Sequence, residues 1–216
     1  MNSKIWLAEF IGTFALLFVG VGAVASGASS LAIAFAFGLT VMVMISAVGG
    51  LSFAHFNPAV TVGFFVLRRI NLRELLLYWS AEFLGAIAGV LALRFFYGAE
   101  KLEPVNYGAT LLAADTSIMQ GFFIEIILTF FLYFVIATCV MQKQPQAGIY
   151  IGFTVTLCAI AGGVLTGASM NPARSFAPAL FSGAWQDHWI YWIAPIIGAV
   201  IAAIAASYLW SNLQET

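Results

Sequence analysis

Charge is what this sequence has least of. Only 8% of its 216 residues are Asp, Glu, Lys or Arg, against about 25% in an ordinary soluble domain. A chain that is 62% hydrophobic has too few polar groups to cover a water-facing surface, which excludes a soluble globular domain as the expected class. Net charge is −1 and no run of basic residues occurs, so a nucleic-acid partner is not expected. Cysteine is equally scarce. Cys139 and Cys158 both lie in apolar stretches and read as small core residues rather than a disulfide framework. Of the two histidines, His55 and His188, neither stands at coordinating spacing from a second ligand. No Ser/His/Asp, Cys/His or metal-ligand constellation appears, so no catalytic residue, metal or cofactor is expected.

What the chain does have is apolar length. Six segments, roughly 5–26, 30–49, 75–97, 119–140, 147–167 and 188–210, are each long enough to cross a bilayer as a helix. The start, Met1-Asn2-Ser3-Lys4 before an apolar run, has the look of a leader. However, Glu9 interrupts that run early and it continues to Val24 with no clear cleavage site, so it reads as a retained first span. Two shorter apolar stretches, 58–67 and 172–182, each begin with Pro directly after Asn. Asn is a good N-cap and Pro suits the first helical turn, so each is predicted to be a half-helix starting at its own Asn. A half-helix at membrane depth needs its preceding loop buried in protein or lining water, which implies a cavity inside the bundle.

Lys4, Arg68, Arg69, Arg73 and Lys143 fall on one side of the predicted spans and Arg94 and Lys101 on the other. This bias predicts cytoplasmic N- and C-termini. With short termini and no organellar or secretory signal, a plasma membrane is the expected location. The longest connection, from Gly98 to Ile118, contains Pro104, Asn106 and Asp115 and is expected on the outer side.

The sequence also repeats. Glu9 with Thr13-Phe14 matches Glu125 with Thr129-Phe130 at an offset of 116; Gly38-Leu39-Thr40-Val41 matches Gly152-Phe153-Thr154-Val155, and Asn57 matches Asn171, at 114; Gly85-Ala86 matches Gly198-Ala199 at 113. Three spans per half is an odd number, so the second half must enter the membrane the opposite way. The expected architecture is an all-α membrane protein. It has six transmembrane helices and two re-entrant half-helices in one channel domain, 1–216, with inverted repeats at about 1–100 and 118–216. A functional site is expected near the midplane, at the interface of the repeats.

The two short helices open on His55-Phe56-Asn57-Pro58-Ala59-Val60-Thr61 and Ser169-Met170-Asn171-Pro172-Ala173-Arg174-Ser175. Paired Asn-Pro-Ala boxes at the repeat offset, with Arg directly after the second, resemble the aquaporin family over essentially the whole chain. Thr166–Phe176 and Trp189-Ile190-Tyr191-Trp192 are especially similar to its plant vacuolar-membrane branch. The resemblance implies that the half-helices meet at the membrane centre with positive ends toward a pore. The pore boxes would be Asn57, Pro58, Ala59 and Asn171, Pro172, Ala173. Asn57 and Asn171 would donate to a passing water oxygen, breaking any proton-conducting chain, while the dipoles repel cations. Glu9 and Glu125 would brace the re-entrant loops by accepting from backbone N–H groups. His55 would pack behind the first box, and Glu82 stands where the family often carries a neutral amide.

By the same resemblance, the selectivity filter falls on Phe37, Ala159, Ala168 and Arg174. A strict water channel usually has His at the position of Ala159, so two alanines imply a wider, less polar constriction. Glycerol-conducting members typically carry Asp after the Arg and a basic residue four further on, where this chain has Ser175 and Ala179. The expected function is therefore a passive channel for water and small neutral solutes such as ammonia, urea or hydrogen peroxide. The expected partners are those solutes, the lipid bilayer and, from the family, a homotetramer. The alternatives are a strict water channel, a glycerol or metalloid-hydroxide facilitator, or a secondary transporter using Glu9, Glu82 and Glu125 as carriers.

Overall fold

With no water in the hydrocarbon core, every backbone polar group of a span must be satisfied within it, and this chain meets that demand with helices. The structure is a computed structural model and describes residues 3–210. Met1 and Asn2, and the C-terminal residues 211–216 that were expected on the cytoplasmic side, lie outside the described residues.

Six long helices have the length and apolar content to cross a membrane: α1 (Ser3–Ala25), α2 (Ser30–Ser52), α4 (Leu72–Tyr97), α6 (Ile118–Met141), α7 (Ala147–Thr166) and α9 (Ile190–Trp210). Two short helices lie between them, α3 (Pro58–Val66) and α8 (Pro172–Ser182). At 9 and 11 residues and about 1.5 Å of rise each, neither can span a core about 30 Å thick. Both start at Asn. The Asn57 side chain accepts from Ala59 N, and the Asn171 side chain accepts from Ala173 N and Arg174 N. The connection from Gly98 to Ile118 is not structureless: it holds α5 (Ala99–Leu102) and a 3-10 segment (Glu103–Gly108).

The helices pair in matching ways. α1 packs on α4 and α6 on α9, while α2 meets α7 across the middle. Each half-helix also packs against a long helix of the other half, α3 on α9 and α8 on α4. Glycine sets how close the main pairs come. A Cβ at Gly85 would collide with the backbone of Phe10 in α1, and one at Gly198 with the backbone of Ile126 in α6. Helix association in lipid relies on such close backbone approach, because apolar burial gives little drive between helices there. Large apolar side chains such as Leu7, Val43, Phe95, Leu157 and Ile204 point outward, the surface a bilayer requires.

Candidate functional site

The segments before the two half-helices share one unusual backbone. Phe53, Ala54 and Phe56 have positive φ, and so do Gly167, Ala168 and Met170, the same three places in each loop. Left-handed backbone costs an L-residue about 1–2 kcal/mol, so something must hold these loops. In the first, the buried Glu9 carboxylate accepts from His55 N at 3.0 Å and from Phe56 N at 2.7 Å. In the second, Glu125 accepts from Ser169 N and Met170 N, both at 2.8 Å, and from Thr166 Oγ1 at 2.6 Å. Two tyrosines complete the pattern. The Tyr78 hydroxyl donates to Ser52 O at the end of α2, and the Tyr191 hydroxyl to Thr166 O at the end of α7.

The loops also grip each other. Asn57 Nδ2 donates to Met170 O at 2.7 Å, and Asn171 Nδ2 donates to Phe56 O at 2.9 Å. Each amide oxygen is spent on its own half-helix, as described above. An amide nitrogen carries two hydrogens, so each Asn keeps one donor beyond its cross-link.

Both asparagines line a cavity of about 880 Å³. Its walls run from Ser30 to Gly50 along α2 and from Ala147 to Val164 along α7, so it extends through the depth of the bundle. Phe37, Ala159, Ala168 and Arg174 all line it. Arg174 is 6% exposed. Its Nη1 donates to Gly108 O at 2.7 Å, and its guanidinium carbon lies 4.8 Å from the centre of the Phe37 ring. One contact fixes the planar fork and the other sets a cation over an aromatic face. Pro58, Ala59, Pro172 and Ala173 are buried in the first turns of α3 and α8 rather than in the wall. Glu9 and Glu125 stand behind the loops, fully buried.

His55 lines the cavity. Its ring is stacked between Phe64 and Tyr78, with centroids 4.2 Å from each. His188 lies in the turn before α9, edge-on to Trp185, and burial lowers its imidazole below the ordinary histidine value. Cys139 and Cys158 are buried and unbridged. Among the described residues, no group of three or more His, Cys, Asp or Glu is placed to hold a metal ion.

Several contributors escaped the sequence reading. Gly108 acts through a backbone carbonyl, which leaves no side-chain signal. Thr110, in the same connection, donates to Ser175 Oγ at 2.6 Å and so ties that connection to α8. Tyr78 and Tyr191 were detectable, because they stand 113 residues apart, as Gly85 and Gly198 do.

Comparison with known proteins gives a consistent result. Residues 1–206 match the family described as Major intrinsic protein. Aquaporin TIP1-2 of Zea mays is 38% identical over 94% of this chain and 84% of its own length. Aquaporin NIP1-1 of Zea mays is 41% identical over 92% of this chain and 72% of its own. The X-ray structure of the aquaglyceroporin from Plasmodium falciparum superposes with a TM-score of 0.87 at 25% identity, covering 99% of this chain and 97% of that one.

Proposed function

The chain belongs to the major intrinsic protein, or aquaporin, family, a family of membrane channels rather than enzymes, and on that premise we propose that it is a channel for water that also passes small neutral solutes such as ammonia, urea or hydrogen peroxide. The observation that carries this reading is the cavity itself. It runs the depth of the bundle and brings Asn57 and Asn171 together with Phe37, Ala159, Ala168 and Arg174 around one lumen.

The free amide hydrogens of Asn57 and Asn171 present two donors to one water oxygen. A water held that way points its hydrogens outward along the pore and accepts from neither neighbour, which interrupts proton hopping. The N-terminal ends of α3 and α8 add positive potential against cations. Arg174 contributes fixed charge and donors at the filter. Ala159 and Ala168 leave room opposite Phe37, and this supports solutes larger than water. Glu9 and Glu125 act as braces that offset the strain of the two loops.

The whole of 1–216 acts as one channel domain, with inverted repeats at about 1–100 and 118–216, and it assembles as a homotetramer with a pore in each subunit. The protein is a multi-pass integral membrane protein with both termini cytoplasmic. The TIP relatives give no support to the plasma membrane expected from the short termini. Stopped-flow light scattering on proteoliposomes tests the solute range. Fast water flux with urea and ammonia flux above the lipid background is expected. Fast water flux alone would overturn the wide filter in favour of a strict water channel.

A further inference from the structure

Glu82 of α4 is fully buried at membrane depth and, unlike Glu9 and Glu125, which each accept from a pair of loop N–H groups, it has a single backbone donor beside it, Asn57 N. Its Oε1 accepts from Thr61 Oγ1 at 2.6 Å. The same hydroxyl meets His55 Nδ1 at 3.0 Å. The chain therefore runs Glu82–Thr61–His55. Its two outer atoms, Glu82 Oε2 and His55 Nε2, are buried without a hydrogen-bond partner. With both faces of the His55 ring covered and Nδ1 engaged, Nε2 is the ring nitrogen without a partner; it is itself buried, on a residue that lines the cavity, so a small shift of the ring is what brings it to cavity water.

The charged surroundings of Glu82 are sparse. From α1 it faces Glu9, on its own helix Tyr78, and through Thr61 the loop residue His55. α3 carries no titratable side chain. The titratable group of α8, Arg174, is engaged with Gly108 and Phe37. Glu100 and Lys101 of α5 lie beyond the far end of α4, about 25 Å away by helical rise. Among the described residues no cation is placed against the carboxylate, and two carboxylates in one apolar neighbourhood are costly to ionise together. The equivalent chain behind the second box has only hydroxyls: Ser169 Oγ meets Ser175 Oγ, which accepts from Thr110 Oγ1. It cannot change charge in the physiological range.

We infer that Glu82 is a buried proton-binding site reached from the cavity through His55 and Thr61. In one register Glu82 is ionised, Thr61 donates to it, His55 carries its hydrogen on Nδ1, and Nε2 presents a bare lone pair. A hydronium in the cavity gives its proton to Nε2 and becomes water. The Nδ1 proton passes to Thr61 Oγ1, and the original Thr61 proton passes to Glu82 Oε1. Bonds to hydrogen form at Nε2, Oγ1 and Oε1 and break at Nδ1 and Oγ1, so one proton is gained. His55 is neutral in both registers; only its tautomer changes. Nε2 turns from acceptor to donor, and Glu82 becomes a neutral acid. Because Glu82 Oε2 has no onward partner, the path ends there and stores a proton rather than leaking one.

Infrared difference spectroscopy of the reconstituted protein across pH tests this. The expected result is a protonated-carboxyl band that titrates, is lost in Glu82→Gln, and in Thr61→Val loses the exchange into D2O that wild type shows. Nitrogen-15 NMR of wild type should show His55 moving its hydrogen from Nδ1 to Nε2 on acidification. This second measurement decides the matter should either variant fail to fold. A band that survives Glu82→Gln, unchanged exchange in Thr61→Val, or a His55 tautomer indifferent to pH would each overturn the inference. It borrows from the proposed function only that the cavity holds water. Missing solute flux with these signals intact would sink the channel's solute range and leave the proton site standing.

Discussion

Asn57 reaches across the centre of the protein to Met170, donating to its carbonyl at 2.7 Å, and Asn171 returns the contact to Phe56 at 2.9 Å. Each asparagine thus caps its own helix and holds the opposite loop. The two jobs separate by substitution. Asn57→Asp keeps an acceptor for Ala59 N but has no donor for Met170 and sets a carboxylate against that carbonyl. Water flux in proteoliposomes should fall sharply. Asn57→Ala should in addition lose the cap, about 1 kcal/mol, read as a lower midpoint of thermal unfolding in detergent.

Glu125 satisfies two loop N–H groups and a threonine hydroxyl. Glu125→Gln turns one acceptor oxygen into a donor, leaving at least one buried N–H unpaired at a cost of about 1–3 kcal/mol. The unfolding midpoint should drop, and Thr166→Val should drop it as well, since that hydroxyl donates to Glu125 and accepts from the buried Ala168 N. An unchanged midpoint in Glu125→Gln would contradict the bracing role.

At the proposed filter, Ala159→His adds a bulky polar ring to the cavity that Phe37 and Arg174 also line. Urea and ammonia flux should decrease by a larger factor than water flux in the same vesicles. A proportional decrease of all three would show that Ala159 does not set the width.

Gly85 faces the Phe10 backbone, so Gly85→Ala must push α1 and α4 apart. Overpacking of this kind costs about 1–3 kcal/mol. Gly22, by contrast, would place a Cβ at an ordinary 3.4 Å from Leu93 Cδ2. Gly22→Ala should therefore be neutral or stabilising by up to about 1 kcal/mol. Thermal unfolding of the pair side by side checks the contrast.

The six spans and two half-helices were legible because apolar length and Asn-Pro junctions are local signals. Helix ends moved by no more than three residues, as in α4, which starts at Leu72 rather than at 75. The backbone of the loops was not legible. Phe53, Ala54 and Phe56 say nothing of left-handed φ, since such residues rarely adopt it; Gly167 alone hinted at it. Nor does spacing reveal that Glu9 will meet the N–H of a residue 46 positions away. That pairing came from family likeness, not from the residues. Glu82 was visible as an odd acid, but its relation to Thr61 and His55 needs the packing of α3 against α4.

The connection between the halves has a consequence for how such proteins can be recombined. It reads as a linker, yet Gly108 pins Arg174 and Thr110 pins Ser175. A chimera that joins the first half of one relative to the second half of another must take this stretch from the donor of the second half. Cut on its other side, the hybrid would inherit an arginine without the carbonyl shaped to receive it.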